Sequence, residues 1–383
     1  MFKVLQINAS YKPAYVYGGP TISVSKLCEA LAKTENNITV LTTTANGKVD
    51  FDINDGELRN VDGVSVYYFY RKTKDHSHWS PSLLKYLYTN ISKYDIVHIQ
   101  AWWNLVSMGA AFVCKIKRKD FVLSPRGTLS SYTFGSKGNP FKRIFHNTIG
   151  KWVLKNANFQ VSTEKEAEDI KSIFKNPRIK IIPNLIQLPS SNFNIKERIK
   201  FSVSSAPLKL VFFSRVEKKK GLEFILNSLN NIKFDFVFDI FGTGDEDYKE
   251  KLKSIINPAI KDKINFKGAV FGDSKFQILS YYDLMVLPSH DENFANVVIE
   301  SLSVGTAVLI THKVGLSDYV IKEDLGWICD QSVNDITRNL DLIFNDYQKL
   351  SKIREIAPMK IQNEFSEEAL IIKYLEFYNT IRY

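Results

Sequence analysis

Cysteine, long apolar runs and nucleic-acid-binding motifs are scarce or missing in this sequence of 383 residues. Its three cysteines, Cys28, Cys114 and Cys329, are widely spaced and odd in number, which argues against a disulfide framework or a zinc knuckle. No apolar run approaches the roughly 20 residues that cross a bilayer, and Met1 leads into an apparent strand rather than a signal peptide. We therefore expect a cytoplasmic protein.

The charge balance points to an anionic partner. The chain has 51 Lys and Arg residues against 41 Asp and Glu, a net charge of +10. Nucleic acid, a phosphorylated small molecule or an acidic membrane surface would suit that charge. Because no helix-turn-helix, zinc-finger or RNA-binding-sheet pattern is present, we expect no nucleic-acid partner.

Short apolar runs alternate with helical patterns along most of the chain. One series begins at the predicted strand Lys3–Ile7 and a second at Lys209–Phe213. This alternation predicts an α/β protein with two doubly wound parallel sheets. We predict Rossmann-like domains at residues 1–188 and 189–365 that face a cleft. The last helix, residues 366–383, is predicted to return to the first domain.

The stretch Pro288–Gly305 carries the densest functional pattern. It follows the apolar run Asp283–Leu287, and loops at the carboxyl ends of parallel strands are where open α/β sheets bind ligands. With Asn293–Asn296 as the first helical turn, its N–H groups could face an anion. Glu292 and Glu300 would then lie on the order of 10 Å apart and grip two ends of one ligand. An ordinary crossover with surface glutamates is the alternative.

A cationic loop follows the strand that ends at Phe213. Its Arg215 could grip diphosphate oxygens through two N–H groups, and Lys220 could act as a point charge. The neighbouring Lys218 and Lys219 fit a solvated charge run. The sequence therefore predicts an anion site built from Arg215 and Lys220.

Two glycine turns could bring backbone close to a ligand. Gly242 and Gly244 follow another strand of the second half, and Gly18 and Gly19 lie between the first strand and its helix. The turns match neither a Walker loop nor a dinucleotide fingerprint, and ordinary turns are the alternative. Asp245-Glu246-Asp247 is interpreted as a helix start, so no metal site is predicted.

As an ordered set, these residues resemble family 4 of the glycosyltransferases, which have the GT-B fold. Glu292 and Glu300 match the E-x7-E motif of that family, alongside Arg215 and Lys220. The resemblance covers nearly the whole chain and is strongest in the second domain. It implies a retaining, metal-independent hexosyltransferase that needs no cofactor and uses a UDP or GDP type of nucleotide sugar. The implied acceptor is a glycan or lipid-linked glycan, in bacterial surface polysaccharide synthesis.

The resemblance also implies a role for each matched residue. Arg215 and Lys220 would hold the diphosphate and take up charge as it leaves, which stabilises the transition state more than the ground state. Glu292 would bind hydroxyls of the donor sugar, and Glu300 those of the ribose. Further donor contacts are implied for Gly18, Gly19, Gly242, Gly244, Asn293, Phe294, Ala295 and Asn296.

Two features depart from the family pattern. Many relatives have Gly-Phe-Gly after the first glutamate, where this chain has Asn293-Phe294-Ala295. Many also place a histidine at the end of a first-domain strand, where Ser124-Pro125-Arg126-Gly127 stands here. We therefore expect Arg126 to contact phosphate or acceptor. His98, within a strand, is interpreted as a satisfied core or rim histidine.

Trp102, Trp103 and Asn104 follow the strand that contains His98. Their position favours stacking on an acceptor sugar, and simple packing is equally open. Further along, Phe141–Lys155 has the pattern of an amphipathic helix with a basic face. Peripheral contact with an anionic membrane would use such a helix, although packing on its own sheet with lysines in water is the alternative.

Two other functions stay open at this point. A sugar-nucleotide epimerase could use the same fold, and it would convert a sugar without any acceptor. A non-catalytic module that binds anionic glycans or lipids could retain a vestigial donor site. Full biological activity of a Glu292→Ala variant would favour that module.

Overall fold

The computed structural model describes residues 1–130, 133, 144–190, 207–270 and 272–382. The chain forms two compact units, Met1–Ile186 with Glu367–Tyr383, and Gln187–Ser366. Residues 141–143 of the predicted amphipathic helix lie outside the described residues. Each unit has the doubly wound α/β architecture that the alternating pattern predicts, which confirms the fold class.

The described residues of the first unit form strands β1 to β10 and helices α1 to α5. The strands are β1 (Lys3–Ile7), β2 (Asn37–Thr43), β3 (Ala45–Asn46), β4 (Val49–Asp50), β5 (Glu57–Val61), β6 (Val64–Phe69), β7 (Ile96–Gln100), β8 (Phe121–Ser124), β9 (Asn158–Val161) and β10 (Arg178–Ile181). The helices are α1 (Gly19–Ala32), α2 (Pro81–Asn90), α3 (Leu105–Ile116), α4 (Lys151–Leu154) and α5 (Glu164–Ile173). A π-helical turn, His146–Gly150, leads into α4.

The main sheet of this unit has the order β10-β9-β8-β7-β1-β2-β6-β5. Its neighbours pair in parallel except for β5, which is antiparallel to β6, and β3 and β4 form a separate antiparallel pair. The predicted parallel sheet therefore carries one antiparallel strand, β5, at its edge. Strand β5 (ELRNV) is exposed at its three central residues and only partly buried at its ends, so it has no apolar alternation to reveal it.

Successive residues of β1 face opposite sides of the sheet and enter two separate apolar layers. Leu5 and Ile7 belong to the layer packed under α2 and α3, and Phe2 and Val4 belong to the layer packed under α1. Burial on both faces is the usual environment of a central parallel strand.

The second unit has a six-stranded, all-parallel sheet in the order β13-β12-β11-β14-β15-β16. These strands are β11 (Leu208–Phe213), β12 (Phe236–Phe241), β13 (Ile264–Gly268), β14 (Leu284–Leu287), β15 (Ala307–Thr311) and β16 (Gly326–Cys329). The helices are α6 (Leu222–Leu229), α7 (Glu246–Ser254), α8 (Ser274–Ser280), α9 (Asn296–Ser303), α10 (Ser317–Lys322), α11 (Val333–Asn345) and α12 (Tyr347–Phe365).

The C-terminal helix α13 (Glu367–Arg382) packs on the first unit. It buries Leu370, Tyr374 and Tyr378 in the apolar layer under α1. Across the described residues, we find no helix with both the length and the apolar character needed to cross a membrane.

Candidate active site

The carboxyl ends of β11 and β14 meet where the strand order of the second sheet reverses. Ligands of open α/β sheets bind at such switch points. The loop after β11, Ser214–Gly221, is here called the β11 loop, and Pro288–Ala295 the β14 loop. The His290 N–H donates to the Lys219 carbonyl at 2.9 Å, so the two loops are joined through their main chains.

Gly221 allows the two loops to come this close. Its φ is +67°, in the left-handed region, and a Cβ at this position would lie 2.2 Å from the Pro288 carbonyl oxygen. Only glycine satisfies both requirements. The next residue, Leu222, begins α6, so the glycine also fixes where the β11 loop turns into the helix.

An ion pair between Lys220 and Glu292 joins the side chains of the same two loops. Lys220 Nζ donates to Glu292 Oε1, and both side chains are mostly buried. The main chain of Glu292 is held by the loop after β15: its N–H donates to the Lys313 carbonyl at 3.1 Å, and the Gly315 N–H donates to its carbonyl at 2.9 Å. The structure thus brings two predicted site residues into direct contact at the switch point.

Arg215 is, by contrast, open to solvent. Its side chain is 71% exposed and contacts the Glu217 carboxylate at 3.1 Å. Exposed ion pairs of this kind contribute little, so the guanidinium can readily exchange that partner for a ligand. Arg215 lines a cavity of about 480 Å³ together with Thr243, Tyr248 and Lys251.

Gly242 and Gly244, in the loop that follows β12, allow close packing between loops. A Cβ on Gly242 would lie 1.8 Å from the Ser214 carbonyl oxygen, and one on Gly244 would lie 2.4 Å from that of Val216. The Val216 N–H donates to the Thr243 carbonyl at 2.7 Å. Glycine at these positions is therefore explained without a ligand, and contact of Gly242 and Gly244 with a donor stays a prediction.

Helix α9 begins at Asn296, so the prediction of a first turn at Asn293–Asn296 is wrong. Ala295 precedes the helix with φ +67°, a left-handed conformation that favours glycine. Phe294 is buried, with its ring centroid 6.5 Å from that of Phe365. Because Glu292 lies outside the helix, the rise per residue of a helix cannot be used to derive the distance between Glu292 and Glu300.

Sequence reasoning missed the partner of Glu300. Lys275 Nζ, on α8, donates to Glu300 Oε1 at 2.6 Å, and both side chains are mostly buried. It also missed Glu223, which accepts a hydrogen bond from the Tyr248 hydroxyl at 2.9 Å. A lysine or tyrosine in a polar helical pattern resembles any solvated residue, so the sequence contains no signal for either contact. Asp245 does cap α7, as its interpretation as a helix start requires.

In the first unit, Arg126 is held by hydrogen bonds within the protein. Its Nε donates to Gln100 Oε1 at 2.7 Å, and its Nη1 donates to Ser23 Oγ at 3.0 Å and Asn184 Oδ1 at 2.8 Å. Burial lowers the pKa of its guanidinium. These bonds give Arg126 a structural role, and contact with phosphate or acceptor stays a prediction.

The structure contradicts the predicted acceptor stacking for Trp102. Trp102 is 1% exposed within the apolar core, so its ring has no face for a sugar. Asn104 caps α3 by accepting from the Ser107 N–H at 2.8 Å. Trp103 packs against the same core, with its ring centroid 6.5 Å from that of Phe145. Packing, the alternative for this segment, therefore describes Trp102, whereas acceptor contact by Trp103 and Asn104 stays a prediction.

His98 is a satisfied core histidine, as predicted. Its Nδ1 lies 2.8 Å from the Tyr378 hydroxyl, and its Nε2 lies 2.6 Å from Ser124 Oγ. Burial lowers the pKa of His98 to about 3, with the charge of Arg126 as a second cause. His98 is thus neutral at ordinary pH and links the strands to α13.

The Gly18-Gly19 turn leads directly into α1. Gly18 has φ +68°, and a Cβ there would meet no described atom within 4 Å. Backbone conformation rather than crowding therefore favours glycine. The N–H groups at the start of α1 suit an anion, and binding there stays a prediction.

Comparison with known proteins identifies the fold and the family. The fold is that of the GT-B glycosyltransferases, as in a solved structure of the Anabaena protein Alr3699/HepE in complex with UDP. That structure aligns with a TM-score of 0.74 and 17% identity over 99% of this chain and 100% of its own. Residues 17–188 match the family described as Glycosyltransferase Family 4, and residues 194–360 match Glycosyl transferases group 1. The chain belongs to glycosyltransferase family 4, which confirms the resemblance.

Two curated relatives extend this comparison. An uncharacterized glycosyltransferase of Methanocaldococcus jannaschii is 25% identical over 368 residues, which cover 90% of each chain. The lipopolysaccharide 1,2-N-acetylglucosaminetransferase of Salmonella typhimurium is 24% identical over 180 residues, or 42% of this chain and 47% of that protein.

Proposed function

We propose that this glycosyltransferase is a retaining hexosyltransferase that moves a sugar from a nucleotide-diphosphate donor to a glycan or lipid-linked acceptor. The observation that carries the proposal is the Lys220–Glu292 ion pair, which joins the β11 and β14 loops at the switch point of the second sheet. It places a buried cation and a carboxylate where such sheets bind ligands.

Arg215 and Lys220, two of the cations of the β11 loop, suit a diphosphate in different ways. The Lys220 ammonium has three N–H donors, so it can hold Glu292 and still donate to a phosphate oxygen. Arg215 is exposed and only weakly paired, so it can close on the diphosphate when the donor binds. Glu292 would accept hydrogen bonds from sugar hydroxyls, and Glu300 from the ribose.

Transfer breaks the bond between the anomeric carbon and the diphosphate oxygen and forms a bond from that carbon to an acceptor oxygen. Positive charge builds on the sugar ring and negative charge builds on the leaving diphosphate. Arg215 and Lys220 would stabilise the second of these charges, which grows as the bond breaks. Since these cations provide the compensating charge, we propose that the reaction needs neither a metal ion nor a cofactor.

The biological setting we propose is bacterial surface-polysaccharide synthesis from the cytoplasmic side. The named activity of the Salmonella relative supports this setting. UDP, the nucleotide bound in the Anabaena structure, makes UDP-sugars the first donors to test, followed by GDP-sugars.

Nucleotide binding tests the donor site. Thermal unfolding would be followed in EDTA with UDP, GDP, ADP and their sugars, and we expect one nucleotide class to raise the melting temperature. A ligand at 100 times its Kd stabilises the folded state by about 2.7 kcal/mol. Arg215→Ala should lose the shift. Arg338→Ala is the matched control, because Arg338 is equally exposed and is also paired with a carboxylate, Asp335.

Product analysis tests the reaction. With the identified donor and a glycan acceptor, proton NMR should show that the new bond keeps the anomeric configuration of the donor. Conversion of the donor sugar to its epimer without acceptor would instead indicate an epimerase. Absence of a shift with every nucleotide would contradict the donor site and favour a non-catalytic module.

A further inference from the structure

We propose that the outer face of helices α2, α3 and α4 in the first unit docks on an anionic phospholipid bilayer. This surface, called the helical face below, comprises Tyr88, Phe112, Lys115, Ile116, Lys117 and Trp152. It involves only the first unit and none of the residues assigned to the donor site.

Large apolar side chains lie exposed on this face. Phe112 is 43% exposed, Ile116 51% and Trp152 52%, and the ring centroids of Phe112 and Trp152 are 6.2 Å apart. The opposite side of α3 is buried in the core, through residues such as Val106 and Ala110. A helix that already has a buried apolar side normally presents polar residues outward. Adjacent exposed apolar residues on two helices therefore indicate an interaction surface.

Lysines stand directly beside these rings. Lys115 Nζ lies 5.4 Å from the centroid of the Trp152 ring, and Lys117 Nζ lies 3.6 Å from that of Tyr88. These contacts link α2, α3 and α4 into one continuous face. Aromatic rings flanked by lysines are the arrangement found at membrane–water interfaces, where ammonium groups reach the headgroups.

The charge of the surrounding segments has one sign. Residues 81–94, 105–119 and 144–157 contain two, four and two Lys or Arg residues respectively and no Asp or Glu, although Asp95 and Asp120 directly follow the first two segments. Most surfaces of proteins in solution mix both signs. These segments contribute eight positive charges to a chain whose net charge is +10. Anionic headgroups are the complementary surface.

Lysine content favours a bilayer over a protein partner. Protein–protein interfaces are depleted in lysine, whereas a juxtamembrane basic cluster gains affinity from each lysine near an anionic surface. Docking here would bring the first unit to the membrane on which a lipid-linked acceptor resides. The docking itself does not rest on the proposed chemistry, because it can be measured without donor or acceptor.

Vesicle binding tests the proposal on the full chain. We expect flotation with vesicles of equal parts phosphatidylcholine and phosphatidylglycerol, and little with phosphatidylcholine alone. Brominated lipid should quench tryptophan fluorescence, and Trp152→Phe should remove most of that quenching while the protein still floats. Failure to bind the anionic vesicles, or quenching unchanged in Trp152→Phe, would overturn the proposal.

A matched pair of double variants locates the contact. Ile116→Ser/Lys117→Gln removes an exposed apolar residue and its neighbouring lysine from the helical face. Loss of one lysine weakens binding about fivefold, and loss of the apolar contact should make the total at least tenfold. Ile321→Ser/Lys322→Gln makes the same change on α10, where both residues are also exposed, and should bind like the wild type.

Two further readouts distinguish bilayer docking from a donor-site defect and from self-association. Nucleotide binding should be unchanged in Ile116→Ser/Lys117→Gln, so a docking defect cannot be mistaken for failure of the donor site. If the helical face joined two copies of the chain, light scattering would detect a wild-type oligomer that this variant dissociates. We expect no such oligomer. If light scattering does show one, or if both double variants lose vesicle binding equally, the helical face is not a lipid-docking surface.

Discussion

The two units share an architecture but place their polar residues differently. In the second unit, the cations and carboxylates lie in loops at the carboxyl edge of the sheet, as with Lys220 and Glu292. In the first unit, polar residues lie within the strands and are fully buried, as with Gln6, His98 and Gln100. There the Tyr378 hydroxyl accepts from Gln6 Nε2 at 3.2 Å, so the C-terminal helix completes the network.

This difference separates two uses of polar residues. A polar side chain at a loop can exchange a protein partner for a ligand, whereas one inside a sheet is satisfied by the fold and is costly to disturb. Variants of the first unit should therefore affect stability, and variants at the second unit's loops should affect binding and turnover. Substitutions in both units test that division.

Trp102→Ala should lower the free energy of unfolding by about 3–5 kcal/mol, because it leaves a large cavity in the core. Urea unfolding measures this loss. In the fraction that stays folded, the KM for acceptor should equal that of the wild type. A stable Trp102→Ala variant with weakened acceptor binding would restore the stacking role that the structure rejects.

Glu292→Gln should lower kcat/KM by roughly 10²–10³-fold, an effect of about 3–4 kcal/mol on the transition state. Binding of the nucleoside diphosphate without its sugar should change little. Asp283→Asn is the matched control, since Asp283 lies before β14 and forms a similarly buried ion pair with Arg354 at 3.1 Å. That variant should lose stability and keep kcat/KM per folded molecule. Equal losses of kcat/KM in both variants would place Glu292 outside the site.

His98 should make the protein less stable in acid. Its pKa is about 3 in the folded protein and about 6.5 when unfolded, so below pH 6.5 the unfolded chain takes up a proton that the folded chain does not. The contribution of His98 to the unfolding free energy is fully present above pH 6.5, and the unfolding free energy falls by about 2 kcal/mol by pH 5. His98→Gln cannot titrate, so its unfolding free energy should fall by that much less over the same range. Parallel pH curves would contradict the assignment.

Ala295→Gly should stabilise the protein by up to about 1 kcal/mol, because glycine adopts φ +67° without the cost that alanine bears. Chemical denaturation detects a change of this size. Ala30→Gly is the control: Ala30 lies within α1, where glycine should instead destabilise by about 1 kcal/mol. A loss of stability in Ala295→Gly would mean that contacts of the alanine methyl group outweigh its backbone strain.

The spacing of apolar residues along the sequence predicts the strands and helices that have a regular apolar face. The sheets follow from that spacing, and the approach of Lys220 to Glu292 follows because adjacent parallel strands end at the same edge. Strand β5 lacks that spacing, so its antiparallel pairing was not foreseen. Assigning Asn293–Asn296 to the first turn of α9 is wrong because the left-handed backbone of Ala295, just before the helix, leaves no mark in the sequence.

Contacts between side chains that lie far apart in the sequence are harder to predict from the sequence. Nothing near Lys275 distinguishes it from a solvated lysine, although it pairs with Glu300. Trp102 follows a strand end, where exposure and burial are equally compatible with the sequence, and only the packing of α3 decides between them. The buried role of His98 was predictable because it stands inside an apolar strand.

The central claim is that the β11 and β14 loops form one donor site, and calorimetric titration tests it most directly. The nucleoside diphosphate identified by thermal unfolding would be titrated in EDTA into wild type, Lys220→Ala and Arg354→Ala. Loss of a hydrogen bond from a charged group costs about 1.5–3 kcal/mol, so Lys220→Ala should bind at least tenfold more weakly, and folded Arg354→Ala should bind like the wild type. Wild-type affinity in Lys220→Ala would contradict the account.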